Sequence, residues 1–327
     1  MKPYDVTALG EILIDFTYAG VNADGKKIYE ENPGGAPANC VSAAVKLGAK
    51  GAFIGMTGYD SFGEDVRKTL SELGVETKAM CYTREQHTTL AFVSLDEKGE
   101  RSFSFCRNPG ADTQLMTADL DDDLLHDSRI LHVGSLSLTD EPAKSATFAA
   151  IRMVKAAGGL VSYDPNYRKA LWGARNDASA EMKSLLPFAN IIKVSEEELP
   201  MLLGEGITAE KGAMQLLAGG ANLVCITLGA KGVRYAAKAV DGTVFSGVVP
   251  APEVIVVDTT GAGDSFTGGL LYRMTRRESP LSFTKTELES DLVFANAVAS
   301  LCVTKRGGIP ALPLLSDVEA FMKEKGL

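Results

Sequence analysis

The sequence predicts an α/β fold in which a central, mostly parallel sheet carries helices on both faces and is joined by a small β-sheet lid. Short apolar segments that suit buried strands alternate with helical segments through most of the 327 residues. This alternation is typical of strand–helix–strand crossovers in a parallel sheet. Residues 11–33 and 88–107 instead contain strand candidates that no helical pattern separates, so we expect these two segments to build the lid.

Hydrophobic period assigns the individual elements, since buried strands are short apolar runs and helices repeat about every 3.6 residues. The predicted strands cover residues 6–9, 51–57, 130–133, 160–163, 191–194 and 223–227. The predicted helices cover residues 38–47, 61–73, 143–157, 178–186, 196–203 and 209–218. Asp60 and Ser61 suit a helix start, and Gly48 and Gly74 suit helix ends. No linker divides the chain, so we expect one domain over residues 1–327.

The second lid segment has the pattern of a hairpin. Strands predicted over residues 90–95 and 101–106 flank the run Asp96-Glu97-Lys98-Gly99-Glu100. An open sheet that joins an α/β domain has one face to bury, and it can bury that face over a ligand cleft. The alternative is that this strand pair extends the main sheet.

Composition and charge exclude several classes of protein. The net charge of −9, with 42 acidic and 33 basic residues, argues against a duplex nucleic-acid binder, which needs a basic surface. The five cysteines are scattered and form no C-x-x-C pair, so we expect reduced, buried thiols. Glu11 and Asp15 interrupt the apolar stretch that a signal peptide needs, and residues 292–304 are too short to span a bilayer. We therefore expect a cytoplasmic protein that binds neither nucleic acid nor membrane.

The most informative segment is residues 253–271. A strand predicted over residues 254–257 ends at Asp258, and the run Thr259-Thr260-Gly261-Ala262-Gly263-Asp264 then leads into a helix. Small residues at a helix N-terminus let consecutive main-chain N–H groups converge, and such a turn binds anions. The segment does not match the G-x-x-x-x-G-K-S/T loop, and Phe266 stands where the dinucleotide-binding motif needs its last glycine.

Asp264 is the unusual residue of this turn, because a carboxylate would repel a bound phosphate. One interpretation is that Asp264 removes the proton of a hydroxyl while the turn stabilises a phosphoryl group in transfer. The other is that Asp264 only caps the helix, a role that suits Asp. Spacing alone leaves both interpretations open.

Compared with known families, residues 258–266 resemble the carboxy-terminal signature of the PfkB (ribokinase-like) carbohydrate kinases. Residues 33–39, Pro-Gly-Gly-Ala-Pro-Ala-Asn, resemble their amino-terminal sugar-binding signature, and Gly10-Glu11 with Asp15 resembles the element before it. These motifs follow the family order over nearly the whole chain. Residues 101–105 with 109–112, residues 164–168 and the Ala-Pro pair after the two glycines are similar to those of the fructokinases within this family.

The resemblance implies a sugar site built from Asp15, Gly34, Gly35, Asn39 and Asp264. A polyol needs hydrogen-bond donors and acceptors in fixed places, and an Asp with an Asn supplies both. From the residues alone, the two glycines suit a turn and Asn39 suits a helix cap equally well.

Two arginines are also implied at the site. Arg168 follows the strand predicted over residues 160–163, so it emerges where open α/β sheets bind ligands, and its planar guanidinium suits phosphate oxygens. The alternative is a surface ion pair. Arg107 is similar to a fructokinase residue that reaches the sugar.

The cofactors implied by the resemblance are ATP, Mg²⁺ and K⁺. The nucleotide contacts would come from Lys193, Ser195, Thr227, Gly229, Gly232, Gly261, Gly263 and Asn296. Ser195 departs from the family pattern, which usually has Asn there. Glu198 would influence Mg²⁺, although an acidic run that opens a helix usually only compensates the helix dipole. The residues implied around K⁺ are Asp258, Thr260, Cys302, Lys305, Gly307 and Ala311.

We therefore predict an ATP-dependent sugar kinase that converts D-fructose to fructose 6-phosphate with Asp264 as the base. The N–H groups of Gly261, Ala262 and Gly263, together with Mg²⁺ and Arg168, would stabilise the transferring group. Two alternatives stay open: a kinase for 2-keto-3-deoxygluconate, ribose or a nucleoside, and a non-catalytic regulator that binds sugar or nucleotide. An exposed lid sheet also leaves a homodimer through the lid open.

Overall fold

A computed structural model describes residues 2–95, 101–173 and 177–327 of the chain. Within these ranges the strands are β1 (Tyr4–Leu9), β2 (Leu13–Val21), β3 (Lys27–Gly34), β4 (Gly51–Gly58), β5 (Met80–Thr83), β6 (Thr89–Leu95), β7 (Arg101–Cys106), β8 (Ser128–Gly134), β9 (Leu160–Asp164), β10 (Ile191–Ser195), β11 (Leu223–Thr227), β12 (Val233–Lys238) and β13 (Val244–Val249). The α-helices are α1 (Ala36–Lys46), α2 (Ser61–Glu72), α3 (Asp122–His126), α4 (Ala143–Ala156), α5 (Lys169–Trp172), α6 (Ala178–Ser184), α7 (Leu199–Leu203), α8 (Ala209–Ala218), α9 (Ala262–Thr275), α10 (Lys285–Cys302) and α11 (Leu315–Lys325).

Nine of the described strands form the central sheet, in the order β13-β12-β11-β10-β9-β8-β1-β4-β5. Strands β1, β4, β5 and β8 to β11 are parallel, and β12 and β13 extend one edge in antiparallel fashion. The chain runs from β1 to one side through β4 and β5, and later fills the other side from β8 onward. The winding direction therefore changes between β1 and β8, and open α/β sheets bind ligands at the carboxyl end of such a point.

Helices cover both faces of this sheet, because alternate residues of each strand enter different apolar cores. In β1, Val6 and Ala8 lie in one core with residues of α1, α9 and α10. Leu9 lies in a second core with residues of α4 and α8. The predicted mostly parallel sheet with helices on both faces is thus confirmed.

Four further described strands form a separate sheet, in the order β3-β2-β6-β7, which we call the lid. The lid does not extend the central sheet, and its strands lie in the two segments that the sequence predicts. Phe16 of β2 stacks on Phe92 of β6 with ring centroids 5.0 Å apart, and its edge meets Phe62 of α2 at 5.7 Å. Aromatic contacts therefore join the lid to α2. The predicted hairpin connection, residues 96–100, lies outside the described residues.

The strand predicted over residues 254–257 is wrong. This segment is largely exposed and contacts the end of α10, where the Val257 N–H donates to the Val303 carbonyl at 2.8 Å. Pro250 and Pro252 shortly before it have no N–H group to give to a neighbouring strand. An apolar, β-branched run therefore leaves the sheet after β13 and leads directly to the turn before α9.

Candidate active site

The carboxyl ends of the parallel strands open into a cleft with two adjoining cavities. The larger has a volume of about 700 Å³ and lies between the central sheet and the lid, with Asp15 and Val93 in its wall on the lid side. The smaller has a volume of about 450 Å³ and is lined mainly by apolar residues of α9, α10 and residues 251–256. Thr227, Gly229 and Gly263 line both. The turn before α9 therefore lies where the two cavities meet.

This turn is shaped by Gly261, the N-cap of α9, whose φ of 76° is left-handed and suits glycine. No side chain of the described residues caps α9, and the first-turn N–H groups of a helix have no partner within it. The Ala262 N–H donates to the Thr259 carbonyl at 3.3 Å, so this amide is used within the turn. The remaining first-turn amides and the helix dipole make this end of the cleft suitable for an anion.

Asp264 lies in the first turn of α9 and lines the larger cavity. The Asn39 side chain, which extends from α1, donates its Nδ2–H to Asp264 Oδ2 at 2.8 Å. Because the N-cap is Gly261 and none of the described side chains caps the helix, Asp264 is not a helix cap. The carboxylate is instead held toward the cleft by a neutral donor.

The charges around Asp264 tune its basicity. The pKa of Asp264 is raised to about 6, chiefly by burial. Within this net value, the hydrogen bond from Asn39 lowers the pKa and the nearby Asp164 carboxylate raises it. Lys193 and Arg168 lower it. The group is therefore ionised at neutral pH, yet it is a stronger base than an exposed Asp.

Asp15 of β2 also faces the larger cavity. Burial raises its pKa to about 7, while Arg168 lowers it and neighbouring carboxylates raise it. Two glycines make room here: a Cβ on Gly34 would lie 2.5 Å from Asp15 Oδ2, and a Cβ on Gly35 would lie 2.5 Å from the Glu11 carbonyl. Asp15, Gly35, Asn39 and Asp264 thus all line the larger cavity, and Gly34 lies directly beside the Asp15 carboxylate.

A buried ion pair lies below the turn. Lys193 Nζ of β10 lies 2.9 Å from Asp164 Oδ2 of β9, and both side chains are buried. Burial alone would lower the pKa of Lys193, but Asp164 and Glu198 raise it above the ordinary value, so the ammonium stays charged. A Cβ on Gly263 would lie 2.7 Å from Lys193 Nζ. A fixed positive charge therefore lies against the anion-binding turn.

Glu198 connects the ends of two strands. Its Oε2 accepts the Ser195 N–H at 2.8 Å, and its Oε1 accepts the Tyr167 N–H at 2.6 Å. Arg168 is exposed and lines the larger cavity, and its Nη1 donates to the Tyr167 carbonyl at 3.0 Å. Lys193, Ser195, Glu198 and Arg168 are thus brought together along one side of the cleft.

Arg107 lines neither cavity, so its predicted contact with the sugar stays a prediction. Its guanidinium is buried in an ion pair with Asp112, with Nη2 2.7 Å from Oδ2, and it also donates to Thr139 Oγ1 and the Leu136 carbonyl. The carboxylate lies only five residues further along the chain. The Arg107 guanidinium, which the sequence predicts to contact the sugar, is therefore paired with Asp112 inside the protein.

Several of the residues predicted to contact the nucleotide line the smaller cavity. Thr227, Gly229, Gly232 and Asn296 all line it. Asn296 Nδ2 donates to the carbonyls of residues 249 and 250, at 3.1 Å each, and so fixes the segment that forms one wall. Both amide hydrogens of Asn296 are used in this way, which leaves its carbonyl oxygen for a ligand.

Asp258 joins the turn before α9 to the segment after α10. It is 5% exposed, its Oδ1 accepts the Thr260 N–H at 2.8 Å, and its Oδ2 accepts the Gly307 N–H at 3.0 Å. The Cys302 thiol lies 3.8 Å from the Thr260 carbonyl. The Asp258 carboxylate and the Thr260 carbonyl are oxygen groups of the kind that a hard cation prefers.

Lys305 and Ala311, also predicted around this cation, line neither cavity. Their main-chain N–H groups donate to the carbonyls of Cys302 and Gly308. Among the described residues, no three His, Cys, Asp or Glu side chains gather as a metal-binding group.

Glu11 is a residue of the cleft that the site prediction does not include. It follows β1 directly after Gly10, is 3% exposed and lines the larger cavity. Its position could have been anticipated, since an acidic residue at the carboxyl end of a buried parallel strand faces the ligand edge of the sheet.

Within the described part of the chain, no helix combines the length and the apolar character that crossing a bilayer requires.

Comparisons with known proteins agree with this geometry. Residues 4–315 match the profile of the family described as pfkB family carbohydrate kinase. The chain is 42% identical over 325 residues to fructokinase-2 of Oryza sativa subsp. japonica, covering 99% of this chain and 95% of that one. The structure of fructokinase from Xylella fastidiosa with bound ATP matches at a TM-score of 0.89 and 34% identity, covering 100% of both chains.

A further solved structure contains a bound sugar, a nucleotide and a potassium ion. It is a double mutant of fructokinase from Vibrio cholerae O395 with fructose, ADP and potassium ion bound. It matches at a TM-score of 0.86 and 33% identity, covering 98% of this chain and 99% of that one.

Proposed function

The chain belongs to the PfkB family of carbohydrate kinases, and from this premise we propose that it transfers the γ-phosphoryl group of ATP to the 6-hydroxyl of D-fructose. Similarity to fructokinases over almost the whole chain supports fructose as the acceptor. The observation that carries the proposal is the position of Asp264. Its carboxylate lies in the first turn of α9, where a cavity under the lid meets a more apolar cavity beside α10.

In the proposed reaction Asp264 accepts the proton of the sugar hydroxyl as that oxygen bonds to the γ-phosphorus. The bond to the β,γ-bridging oxygen breaks, ADP leaves, and Asp264 later passes its proton to water. Because Asn39 holds Oδ2, Oδ1 is the oxygen that takes the proton. Asp15 and Asn39 would orient the sugar.

Positive groups along the cleft would stabilise the phosphoryl group in transfer. The first-turn amides of α9, the Lys193 ammonium and the Arg168 guanidinium all lie along the larger cavity. Such preorganised charge stabilises the transition state more than the ground state. Closure of the lid over the sugar would exclude water, which would otherwise accept the phosphoryl group.

The proposed cofactors are Mg²⁺ and K⁺. Mg²⁺ usually keeps several waters and binds nucleotide phosphates, so the buried Glu198 beside the cavity fits an indirect, electrostatic role. Asp258 and the carbonyls near Thr260 and Cys302 fit K⁺, which would supply positive charge close to the phosphate-binding turn. Replacing K⁺ by a bulky organic cation in the assay should lower turnover if this site binds K⁺.

The role of Asp264 is tested with the Asp264→Asn variant. The amide cannot act as a base, so turnover should fall about 10²–10⁴-fold or more, while sugar binding measured by calorimetry stays largely intact. A variant with a near-normal rate would remove Asp264 from the mechanism.

The acceptor is tested with a panel of sugars and Mg²⁺–ATP, with ADP release as the readout. We expect the highest kcat/KM with D-fructose, compared with 2-keto-3-deoxygluconate, ribose and a nucleoside. A higher value with another sugar would change the substrate but keep the reaction. Sugar binding without turnover of any acceptor would instead identify a non-catalytic binding protein.

We also propose a cytoplasmic enzyme that forms a homodimer through the lid. Val21 at the end of β2 and Ile28 near the start of β3 are 58% and 44% exposed, and exposed apolar side chains of the lid suit a second subunit. Light scattering of Ile28→Lys should then show a monomer where the unmodified chain is a dimer.

A further inference from the structure

Glu11 occupies a distinctive place in the sheet. It directly follows β1, whose neighbours are β4 and β8, and the winding direction of the sheet changes between β1 and β8. The Leu9–Val133 pair at the ends of these two strands brings Glu11 to the first residues after β8. A crevice opens where the winding direction changes, and α/β proteins bind ligands there, just beyond the carboxyl ends of the strands.

The two oxygens of the Glu11 carboxyl group have different surroundings. Oε1 accepts the Ala36 N–H in the first turn of α1 at 3.1 Å. Oε2 is buried, and no described residue gives it a hydrogen bond of normal geometry. On the β8 side, Gly134 has no side chain to contact it, and even a Cβ added there would lie 4.0 Å from Oε2. Leaving a buried polar oxygen without a partner is unfavourable, and a ligand that donates a hydrogen bond to it would remove this penalty.

The charges behind Glu11 indicate a neutral polar ligand rather than a phosphate. Burial raises the pKa of Glu11 to about 7, and the buried Arg107–Asp112 pair acts on it in opposite directions, with Asp112 raising the pKa and Arg107 lowering it. A carboxyl group in this range either accepts a hydrogen bond or, when protonated, donates one. A hydroxyl group is both donor and acceptor, so it suits either form.

The ligand atom at Glu11 is also distinct from the one at Asp264. The charged groups that act on Asp264 are Asp164, Lys193 and Arg168, whereas those that act on Glu11 are Arg107 and Asp112. Glu11 and Asp264 both line the larger cavity. A polyol has several hydroxyl groups, so the two residues need not compete for the same one.

We infer that Glu11 Oε2 hydrogen-bonds a sugar hydroxyl other than the one that is phosphorylated, and that Glu11 is thereby a specificity-determining residue for the acceptor. This inference rests on the proposed sugar-kinase function.

The first test compares Glu11→Ala and Glu11→Gln with the unmodified enzyme. Glu11→Ala should raise KM for the sugar about 10–100-fold and leave KM for ATP within about threefold. Glu11→Gln should have a smaller effect, because its carbonyl still accepts from Ala36 and its amide still donates to a hydroxyl. Glu287→Gln is the matched control: this carboxylate also accepts a main-chain N–H, from Thr284 at the start of α10, but it is exposed and lies outside both cavities.

The decisive test uses fructose analogues that lack the 1-, 2-, 3- or 4-hydroxyl group, one at a time. For one of these analogues, the kcat/KM of the unmodified enzyme should be about 10–100-fold lower than for fructose. The Glu11→Ala enzyme should show almost no difference between that analogue and fructose. A merely structural role of Glu11 would lower kcat/KM for fructose and all analogues by one common factor. That additive pattern would overturn the inference.

Failure of the inference is distinguishable from failure of the proposed function. If the unmodified enzyme phosphorylates none of the sugars, the proposed function is wrong. If it phosphorylates a sugar and every analogue behaves additively with Glu11→Ala, only the role of Glu11 is wrong.

Discussion

At the scale of single residues, the cleft is governed by carboxyl groups whose pKa is raised. Asp264, Asp15 and Glu11 all lie in the larger cavity, and burial is the largest cause of the shift in each. Burial disfavours the charged form, so each group binds its proton more strongly than an exposed carboxyl group does. Only Asp264 combines this shift with a place at the anion-binding turn, and this combination suits a general base.

The acid limb of the pH–rate profile should report Asp264. The base works only when ionised, so turnover should fall as the pH drops through about 6, by about tenfold per unit below it. Asn39→Ala removes the hydrogen bond that lowers this pKa, so the limb should move to higher pH. Initial rates between about pH 5 and 8 measure the shift.

A matched control keeps this interpretation separate from general damage. Asn190 donates its Nδ2–H to Asn222 Oδ1 and lines neither cavity. Asn190→Ala should leave the acid limb in place. An Asn39→Ala profile that coincides with that of the unmodified enzyme would show that Asn39 does not tune the base.

At the scale of elements, the start of α1 links the lid to the core. Gly35 ends the passage from β3 into the helix with a φ of 110°, and the Glu11 main chain lies against its α-carbon. The same helix carries Asn39 to Asp264. The backbone at Gly35 therefore sets the position of both the lid strand and the residue that contacts the base.

Gly35→Ala should destabilise the protein by more than about 3 kcal/mol, because its Cβ would meet main-chain atoms that cannot move aside. Gly25 in the β2–β3 turn is the matched control, since its φ of 76° is also positive and a Cβ there would meet nothing within 4 Å. Gly25→Ala should cost only about 1–2 kcal/mol. Urea unfolding measures the free energy of unfolding of both variants. Equal losses would show that the main-chain contact at Gly35 is not the cause of the destabilisation.

Several elements follow from local pattern, and others depend on distant partners. The predicted helix over residues 209–218 and the strand over residues 223–227 have the bounds of α8 and β11, because each has a clear hydrophobic period. Residues 254–257 read as a strand for the same reason, yet the proline-containing approach and the end of α10 keep them out of the sheet. The sequence does not predict β5, β12 or β13, which are short or lie at one edge.

The residues of the site also fall into those that the sequence predicts and those that depend on tertiary contacts. Asp15, Asn39 and Asp264 are predicted through family motifs, and the structure brings them together. Arg107 lines neither cavity, because a tertiary ion pair with Asp112 uses its charge. Glu11 is missed because an unpartnered oxygen is visible only after α1 and β8 are packed around it.

At the scale of the whole molecule, the larger cavity is formed by two separate sheets. The lid contributes Asp15, Thr17 and Val93, and the strand ends of the central sheet contribute the opposite wall. A ligand in this space contacts both sheets at once. Binding should therefore stabilise the lid against local opening more than it stabilises the distant edge of the central sheet.

Amide hydrogen exchange tests this expectation within one molecule. Saturating sugar should slow exchange in β2 and β6, whereas β12 and β13 at the far edge should change little. Uniform slowing over all these strands would instead indicate global stabilisation without lid closure.

The shared wall at Thr227, Gly229 and Gly263 makes the two cavities one continuous binding space. A single compound that joins a ketohexose to adenosine through a polyphosphate bridge would occupy both at once. Such a bisubstrate ligand loses its overall translational and rotational freedom only once, so its affinity should greatly exceed that of either half. The shape of the cleft thus provides a direct route to tight, selective inhibitors of this enzyme.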